Sequence, residues 1–469
     1  MTLRRKNELA FRILILVVCC WFGIVCTSGE QSTDVSVTST VQHPEWSKDL
    51  GIYEVNIRQF TPSGTFRELE EHLPRIKELG IGIVWLMPIH PIGEKNRKGS
   101  LGSYYSVKDY LAVNPEYGTL GDFKHLVSKI HELGMYVIID WVPNHTSWDN
   151  TLAESHPEWY HKDESGNFRP PVADWADVIH LDYGQPGLRE YMINALKYWV
   201  RETDIDGFRC DVAHMIPVDF WDQARAELDK VKPVFMLAEA EGPQYHFNAF
   251  DMTYGWEMHH IINLVAQGKR GVGAIDSLLA REATAYPPGS YRMQFTSNHD
   301  ENSWAGTVFE RMGDAAEVFA VFCATVPDMP LIYGGQEAGL DKRLQFFEKD
   351  QILWREHRFA GLYKTLLQAK KANEALWNGP FGDRLRRIEN SQNDAVFSFT
   401  RGKDENHILV LLNLSSQFRE FSLSKREFTG GAYQDLLMGH QVKIEAGEQM
   451  SLRPWQYRVL VQRPGLSSN

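Results

Sequence analysis

A chain of 469 residues with 43% hydrophobic and 12% aromatic content can bury a large core and is long for one domain, so two or three domains are expected. Its formal charge of −12 excludes the broad basic face that phosphate neutralisation requires, so a nucleic-acid partner is not expected and an uncharged ligand such as a glycan fits better. The five cysteines make no disulfide scaffold: Cys19, Cys20 and Cys26 crowd the amino terminus, and Cys210 and Cys323 lie in apolar surroundings that suit free buried thiols.

The chain opens with Arg4, Arg5 and Lys6, followed by an apolar run over 11–26 that Arg12 interrupts and that is short for a full membrane span. Residues 1–26 read as an export signal or lipoprotein signal, and the polar, Ser/Thr-rich residues 27–43 as a flexible tether. Cys26 stands where the lipidated first residue of a mature bacterial lipoprotein would stand, although Val25 is not the small residue usual before it. Lipidation, simple cleavage and an uncleaved anchor stay open, and each exports the protein to an extracellular, periplasmic or membrane-tethered location.

Over residues 44–380, apolar β-type runs alternate with amphipathic stretches. The runs fall at 51–57, 81–88, 135–142, 206–212, 234–239, 249–254, 291–297 and 330–334. Helical patterns such as FRELEEHLPRIKELG (66–80) and DFKHLVSKIHELG (122–134) end at Gly80 and Gly134, where a left-handed cap suits glycine. Strands alternating with helices in this way predict a parallel (β/α)₈ TIM barrel, whose functional groups gather at the carboxyl ends of the strands. Residues 146–183 leave the rhythm: rich in Trp, Pro, His and Asp, they read as a loop subdomain inserted after strand 3, forming a wall of the cleft. Over 381–469, alternating strands (AVFSFTR, HILVLLNL, REFSLS, YRVLVQ) with Gly and Asn turns predict a C-terminal antiparallel β-sandwich.

Four segments carry the chemistry: DWVPNHTS (140–147), DGFRCDVAH (206–214), FMLAEAEG (235–242) and FTSNHDEN (295–302) each run from β-prone residues into acids, histidines or arginine. Arg209 and Asp211 are two apart, so on a strand they share a face while Cys210 points to the opposite layer. A carboxylate beside a guanidinium is expected to stay ionised, as a nucleophile must. With Glu239 and Asp300, three separate strands then supply a nucleophile, an acid/base and a charge stabiliser. Acids also cap strand ends as solvated loop residues, but four such segments at the spacing of βα units fit one shared site better.

These segments resemble the four sequence regions of the α-amylase family of glycoside hydrolases: DxxxNH as Asp140, Asn144 and His145, GFRxD ending at Asp211, a strand-terminal Glu as Glu239, and NHD as Asn298, His299 and Asp300. The similarity runs from about residue 51 to about residue 461 and includes YSVKDY (105–110), NPEYGTLGDFKHLV (114–127) and PLIYGGQE (330–337). It implies a retaining hydrolase of α-glucans such as starch or maltodextrin, with Asp211 as nucleophile, Glu239 as proton donor and Asp300 as transition-state stabiliser. Tyr105 resembles a stacking platform for the sugar being cleaved, His145 and His299 are read as partners of sugar hydroxyls, Asp140 as an orienting acid, and Arg209 as the group that depresses and orients Asp211. Glu241 shares the parity of Glu239 and is its rival. Trp141, Trp148, Trp175 and Trp304 lie beside the motifs, where packing and substrate contact are equally open.

The resemblance has departures. Many α-amylases follow the nucleophile with a Lys-His pair; here Val212, Ala213, His214 and Met215 stand instead, and only His214 is left to take over a contact. No cofactor is needed for the chemistry, but calcium is a candidate, with Asn144 as one ligand and Asp174, Asp177 and Asp182 as others. Zinc is disfavoured, because two histidines and scattered acids match no compact metal pattern. Val212 resembles the residue found after the nucleophile in some enzymes acting on α-1,6 or α-1,1 bonds, which leaves linkage open. Two further readings of the resemblance stand beside hydrolysis: a transglycosidase of the trehalose synthase or sucrose isomerase type, and a non-catalytic glycoprotein like amino-acid-transporter heavy chains. The presence of all three acids argues against the last.

Overall fold

The computed structural model describes residues 39–462. The export signal, Cys26 and the tether before Ser39 lie outside the described residues. The tether reading does not extend to residues 39–43, which are docked: the Thr40 amide donates to the Phe247 carbonyl (2.8 Å) and His43 Nδ1 lies 2.9 Å from Asp251 Oδ1.

Eight parallel strands close a barrel: β1 (Ile52–Val55), β2 (Ile83–Leu86), β3 (Tyr136–Trp141), β4 (Gly207–Cys210), β5 (Phe235–Ala238), β6 (Met252–Tyr254), β7 (Tyr291–Gln294) and β8 (Met329–Tyr333). Neighbours in space are neighbours in sequence, and β8 closes on β1 with Tyr53 opposite Ile332. Strand parity sorts the side chains into two layers. Ile52, Ile83, Ile138, Leu237, Met252 and Met293 fill the lumen, while Tyr53, Val84, Ile139, Phe208 and Met236 pack outward under the helices.

The longer helices are α1 (Phe66–Glu78), α2 (Leu120–Glu132), α3 (Pro186–Thr203), α4 (Val218–Asp229), α5 (Trp256–Ala266), α6 (Gly273–Ala285), α7 (Ala316–Thr325) and α8 (Arg358–Ala372). Thr65 caps α1 through the Glu68 amide, and Thr119 with Asp122 makes a reciprocal capping box on α2. The left-handed glycines expected at both helix ends are there, Gly80 at φ 101° and Gly134 at φ 64°. Strict alternation fails once: β5 and β6 are joined through only the 3₁₀ turn Pro243–His246, and two helices, α5 and α6, follow β6 instead. Gly242 and Pro243 at the centre of that short connection disfavour a longer helix.

After β3 the inserted segment forms a two-stranded hairpin in which His145 pairs with His180 and Ser147 with Val178. Carboxyl-terminal strands β9 (Arg386–Arg387), β10 (Val396–Lys403), β11 (Asn406–Asn413), β12 (Arg419–Phe421), β13 (Gly431–Asp435), β14 (Gln441–Ile444), β15 (Met450–Leu452) and β16 (Tyr457–Gln462) make a six-stranded antiparallel sheet, ordered β9-β10-β11-β16-β13-β14, and a β12-β15 pair. The near-continuous apolar run of β11 follows from its double burial: Ile408, Val410 and Leu412 join the barrel's outer core, while Leu409 and Leu411 join Phe421 and Leu452 between the two sheets. Cys210 and Cys323 are both free and buried, and burial pushes both thiols up, away from reactivity.

Gly207, which starts β4, sits so close to β5 that an added Cβ would lie 1.9 Å from the Phe235 carbonyl oxygen. Gly207→Ala is expected to destabilise the protein by about 3 kcal/mol through overpacking and displaced strand pairing. Denaturant unfolding of the variant beside the wild type measures this, and an unchanged midpoint contradicts it.

Candidate active site

The parity that sends Ile52, Ile138 and Leu237 into the lumen also sends Glu54, Asp140, Arg209, Asp211 and Glu239 there, at the carboxyl end of the barrel. Cys210 and Ala238 are register partners, the Asp211 amide donates to the Trp141 carbonyl (2.8 Å) and the Glu239 amide to the Cys210 carbonyl (3.0 Å). Asp211 and Glu239 therefore leave adjacent strands at one level, separated by roughly one strand spacing of 4.8 Å.

Arg209, wholly buried, is the hub of the group. Its Nη1 donates to Asp211 Oδ1 (2.9 Å) and Asp140 Oδ1 (3.1 Å), and its Nε to the Tyr254 hydroxyl (3.1 Å). Its Nη2 lies 3.0 Å from Glu239 Oε1 but without the alignment of a hydrogen bond. The guanidinium also stacks over Trp85, 5.1 Å from the ring centre. One cation is thus shared among three carboxylates. Burial, and then the nearby Glu239, push the Asp211 carboxyl well above the ordinary range, and Arg209 pulls it back without cancelling them. The sequence expectation that Arg209 depresses the Asp211 pKa is corrected on this point: the local pull is present, but burial and the other acids outweigh it. Asp140 rises to about 6, through burial opposed by Arg209 and His299.

Glu239 Oε2 accepts the Val212 amide (2.7 Å). Val212 makes this contact from a left-handed backbone (φ 36°, ψ 44°), a costly conformation for a β-branched residue and one that turns its amide toward the acid. His214 Nδ1 reaches the Glu239 carbonyl at 3.4 Å, a contact to the backbone and not to the carboxyl group.

His299 links the fourth segment to this group. Its Nδ1 donates to Glu54, a fully buried carboxylate on β1, and its Nε2 lies 2.8 Å from the Tyr105 hydroxyl and 3.4 Å from Asp300 Oδ2. Burial alone would lower the His299 pKa, but Asp300 and Glu54 together raise it to about 9. The ring is then an imidazolium with both nitrogens donating, so the Tyr105 hydroxyl accepts from it and donates a hydrogen bond to Asp140 Oδ2, 3.1 Å away. Asp300 sits at the open rim with its side chain 37% exposed.

His145 is brought beside this group but is not bonded into it. Its ring is buried, pushed down to about 3 by burial and by His180, contacted by the Asn144 amide at 3.3 Å and faced edge-on by Trp175. Glu241 is excluded from the centre: it pairs with Arg292 Nη2 at 2.6 Å and accepts the Glu257 amide.

Comparison with known proteins follows the same boundaries. A family model described as "Alpha amylase, catalytic domain" matches residues 37–176 and 156–375, and one described as "Maltogenic Amylase, C-terminal domain" matches residues 386–459. The chain belongs to the α-amylase family. A solved noncanonic maltogenic α-amylase, AmyB from Thermotoga neapolitana, is 34% identical with a TM-score of 0.81, covering 89% of this chain and 99% of its own. An α-amylase structure from Lactobacillus plantarum is 33% identical with a TM-score of 0.78, covering 88% and 98%. Alpha-amylase 2 of Dictyoglomus thermophilum is 26% identical over 85% of this chain and 74% of its own length. Membership makes this α-amylase-family protein a glycoside hydrolase of the retaining class.

The calcium expectation does not fit this family member's residues. Asp177 is paired with the Lys98 ammonium (3.2 Å), which also binds the Asp174 carbonyl, and Asp182 accepts the Gly184 amide (2.9 Å) and the Gln185 side chain (3.0 Å). Asn144 Oδ1 is buried without a hydrogen-bond partner, but no group of three or more His, Cys, Asp or Glu gathers to hold a metal among the described residues. Glu54 is the site residue that sequence reasoning missed. Its signal was present: it lies two positions after Ile52 in GIYEVNI, on the lumen parity.

A histidine whose pKa is raised on folding stabilises the fold fully below its unfolded value near 6.5 and loses that contribution as pH rises through about 9. Glu54→Gln removes one of the two carboxylates that raise it. An NMR titration of His299 is expected to show its midpoint shifted toward neutral by more than about one pH unit, with earlier alkaline loss of activity. An unshifted midpoint contradicts the assignment of Glu54.

Proposed function

We propose that this protein hydrolyses α-glucans, such as starch, maltodextrin or related oligosaccharides, with retention of anomeric configuration through a glycosyl-Asp211 intermediate. The observation that carries the reading is the clasping of Asp211 and Glu239 on the two arms of one buried guanidinium, with Asp300 reaching the same rim through His299. Two carboxyl groups that leave neighbouring strands at one level and reach the same guanidinium suit the close spacing of about 5 to 5.5 Å that a retaining mechanism uses.

In the first step Asp211 attacks the anomeric carbon, the glycosidic C–O bond breaks, and the proton of Glu239 goes to the departing oxygen. Arg209 holds Oδ1 of Asp211, which leaves Oδ2 to make the bond. The second step reverses the roles: Glu239 takes a proton from water, the resulting hydroxide adds to the anomeric carbon, and Asp211 is released. Asp300, at the rim, opposes the positive charge that grows on the sugar ring in both steps. Tyr105 offers its ring to the same sugar, held by its bonds to His299 and Asp140, and His299 stands beside it at the rim near Asp300. The buried His145, beside Asn144, lines the cleft near Trp175. The likeness to maltogenic and other α-amylases supports the α-glucan class. Export, with or without a lipid on Cys26, is part of the proposal and rests on the amino-terminal sequence alone.

Following maltooligosaccharide cleavage by NMR is expected to show the α-anomer appearing first, and Asp211→Asn is expected to lose at least about 10⁴-fold in kcat while keeping the melting temperature. Initial release of the β-anomer, or near wild-type turnover by Asp211→Asn, contradicts the mechanism. Separation of the products by size shows whether longer transfer products accompany hydrolysis.

A further inference from the structure

Among the described residues Trp304 is the most exposed tryptophan, with 56% of its surface open to solvent. It lies on the π-type turn Glu301–Ala305 immediately after Asp300. Its indole packs against Phe346 (ring centres 5.2 Å, planes at 38°) and Phe347 (5.9 Å), both on the loop after β8. Phe346 in turn runs nearly parallel to Tyr105 (6.1 Å, 16°), and Tyr105 to His299 (5.5 Å, 20°). An unbroken aromatic wall therefore leads from the ring that faces the reacting sugar out to an indole with a free face.

The wall is held in place before anything binds. Asn302, 2% exposed, donates to the Lys342 carbonyl (3.0 Å) and accepts the Leu344 amide (2.9 Å), and Thr307 donates to Asp341 (3.0 Å), so the loops after β7 and β8 are tied together on both sides of Trp304. An exposed indole held in this way supports no core of its own. Pyranose rings present C–H groups to such a surface, and aromatic faces suit them for that reason.

Topology fixes which sugar the wall meets. The proton donor Glu239 ends β5, so the leaving group departs on that side of the barrel mouth. The aromatic wall belongs to the loops after β2, β7 and β8, away from β5. We propose that Trp304, backed by Phe346, is the stacking platform for the glucose unit next to the one bound at Tyr105, on the part of the chain that stays attached to Asp211. This makes Trp304 a determinant of chain-length preference, and it rests on the reading of Asp211 and Glu239 given above.

The test compares nitrophenyl α-glucoside, α-maltoside and α-maltotrioside as substrates of the full protein. In the wild type, kcat/KM rises from the glucoside to the maltoside because the second glucose gains the platform. In Trp304→Ala the maltoside-to-glucoside ratio of kcat/KM falls about tenfold, chiefly through KM, and Trp304→Phe restores most of it. An unchanged ratio in Trp304→Ala, or an equal loss on all three substrates with a lowered melting temperature, overturns the platform and leaves the catalytic reading intact. A wild type that cleaves none of the three, although folded, overturns the catalytic reading and the platform with it.

Discussion

A single guanidinium, sealed in the lumen of a barrel and shared by three carboxylates, organises this protein. Arg209 has no solvent to neutralise its charge and Asp140, Asp211 and Glu239 have only this one arginine between them. Such a cluster is a poor way to stabilise a fold, since desolvating buried charges offsets most of what their attraction returns. The stability comes from the apolar layers around it, inside the barrel and beneath the helices. What the cluster supplies is position: two carboxyl groups fixed at one height on neighbouring strands, in a medium where charges interact more strongly than in water.

A second buried pair, Glu54 with His299, balances the first. It places a positive imidazolium against Tyr105 and Asp300, so hydrogen bonds run outward from His299, to Glu54 on one side and through the Tyr105 hydroxyl to Asp140 on the other, and keep the Tyr105 ring in one orientation. The strained backbone at Val212 has a comparable role toward Glu239, since its amide fixes one carboxyl oxygen while the other lies beside Arg209.

Much of this was legible in the sequence because a barrel strand obeys a period of two and because the acids stand at strand ends. Arg209 and Asp211 declared their common face by spacing alone, and the glycine caps after α1 and α2 declared the helix ends. Less legible were properties that depend on neighbours distant in the chain. The spacing of Arg209 and Asp211 shows a pair, but only the fold shows how deeply Asp211 is buried and that Glu239 and Asp140 draw on the same cation, which together reverse the expected direction for Asp211. Glu54 sits in an ordinary strand pattern, and its partner His299 lies on the loop after β7, 245 residues away in sequence. Lys98, lodged against Asp177, likewise had no local signature, and with it the calcium expectation fell. The connection from β5 to β6 was misjudged because the eight-strand rhythm implied a helix that Gly242 and Pro243 disfavour.

The most direct test of the account is to trap the proposed covalent species. Incubation with a fluorinated α-glucosyl fluoride that forms the intermediate quickly and releases it slowly, followed by intact-mass measurement and peptide mapping, is predicted to show one added glycosyl unit, bonded to Asp211. A label on Glu239 or Asp300, or steady turnover of the reagent with the protein never labelled, contradicts the account.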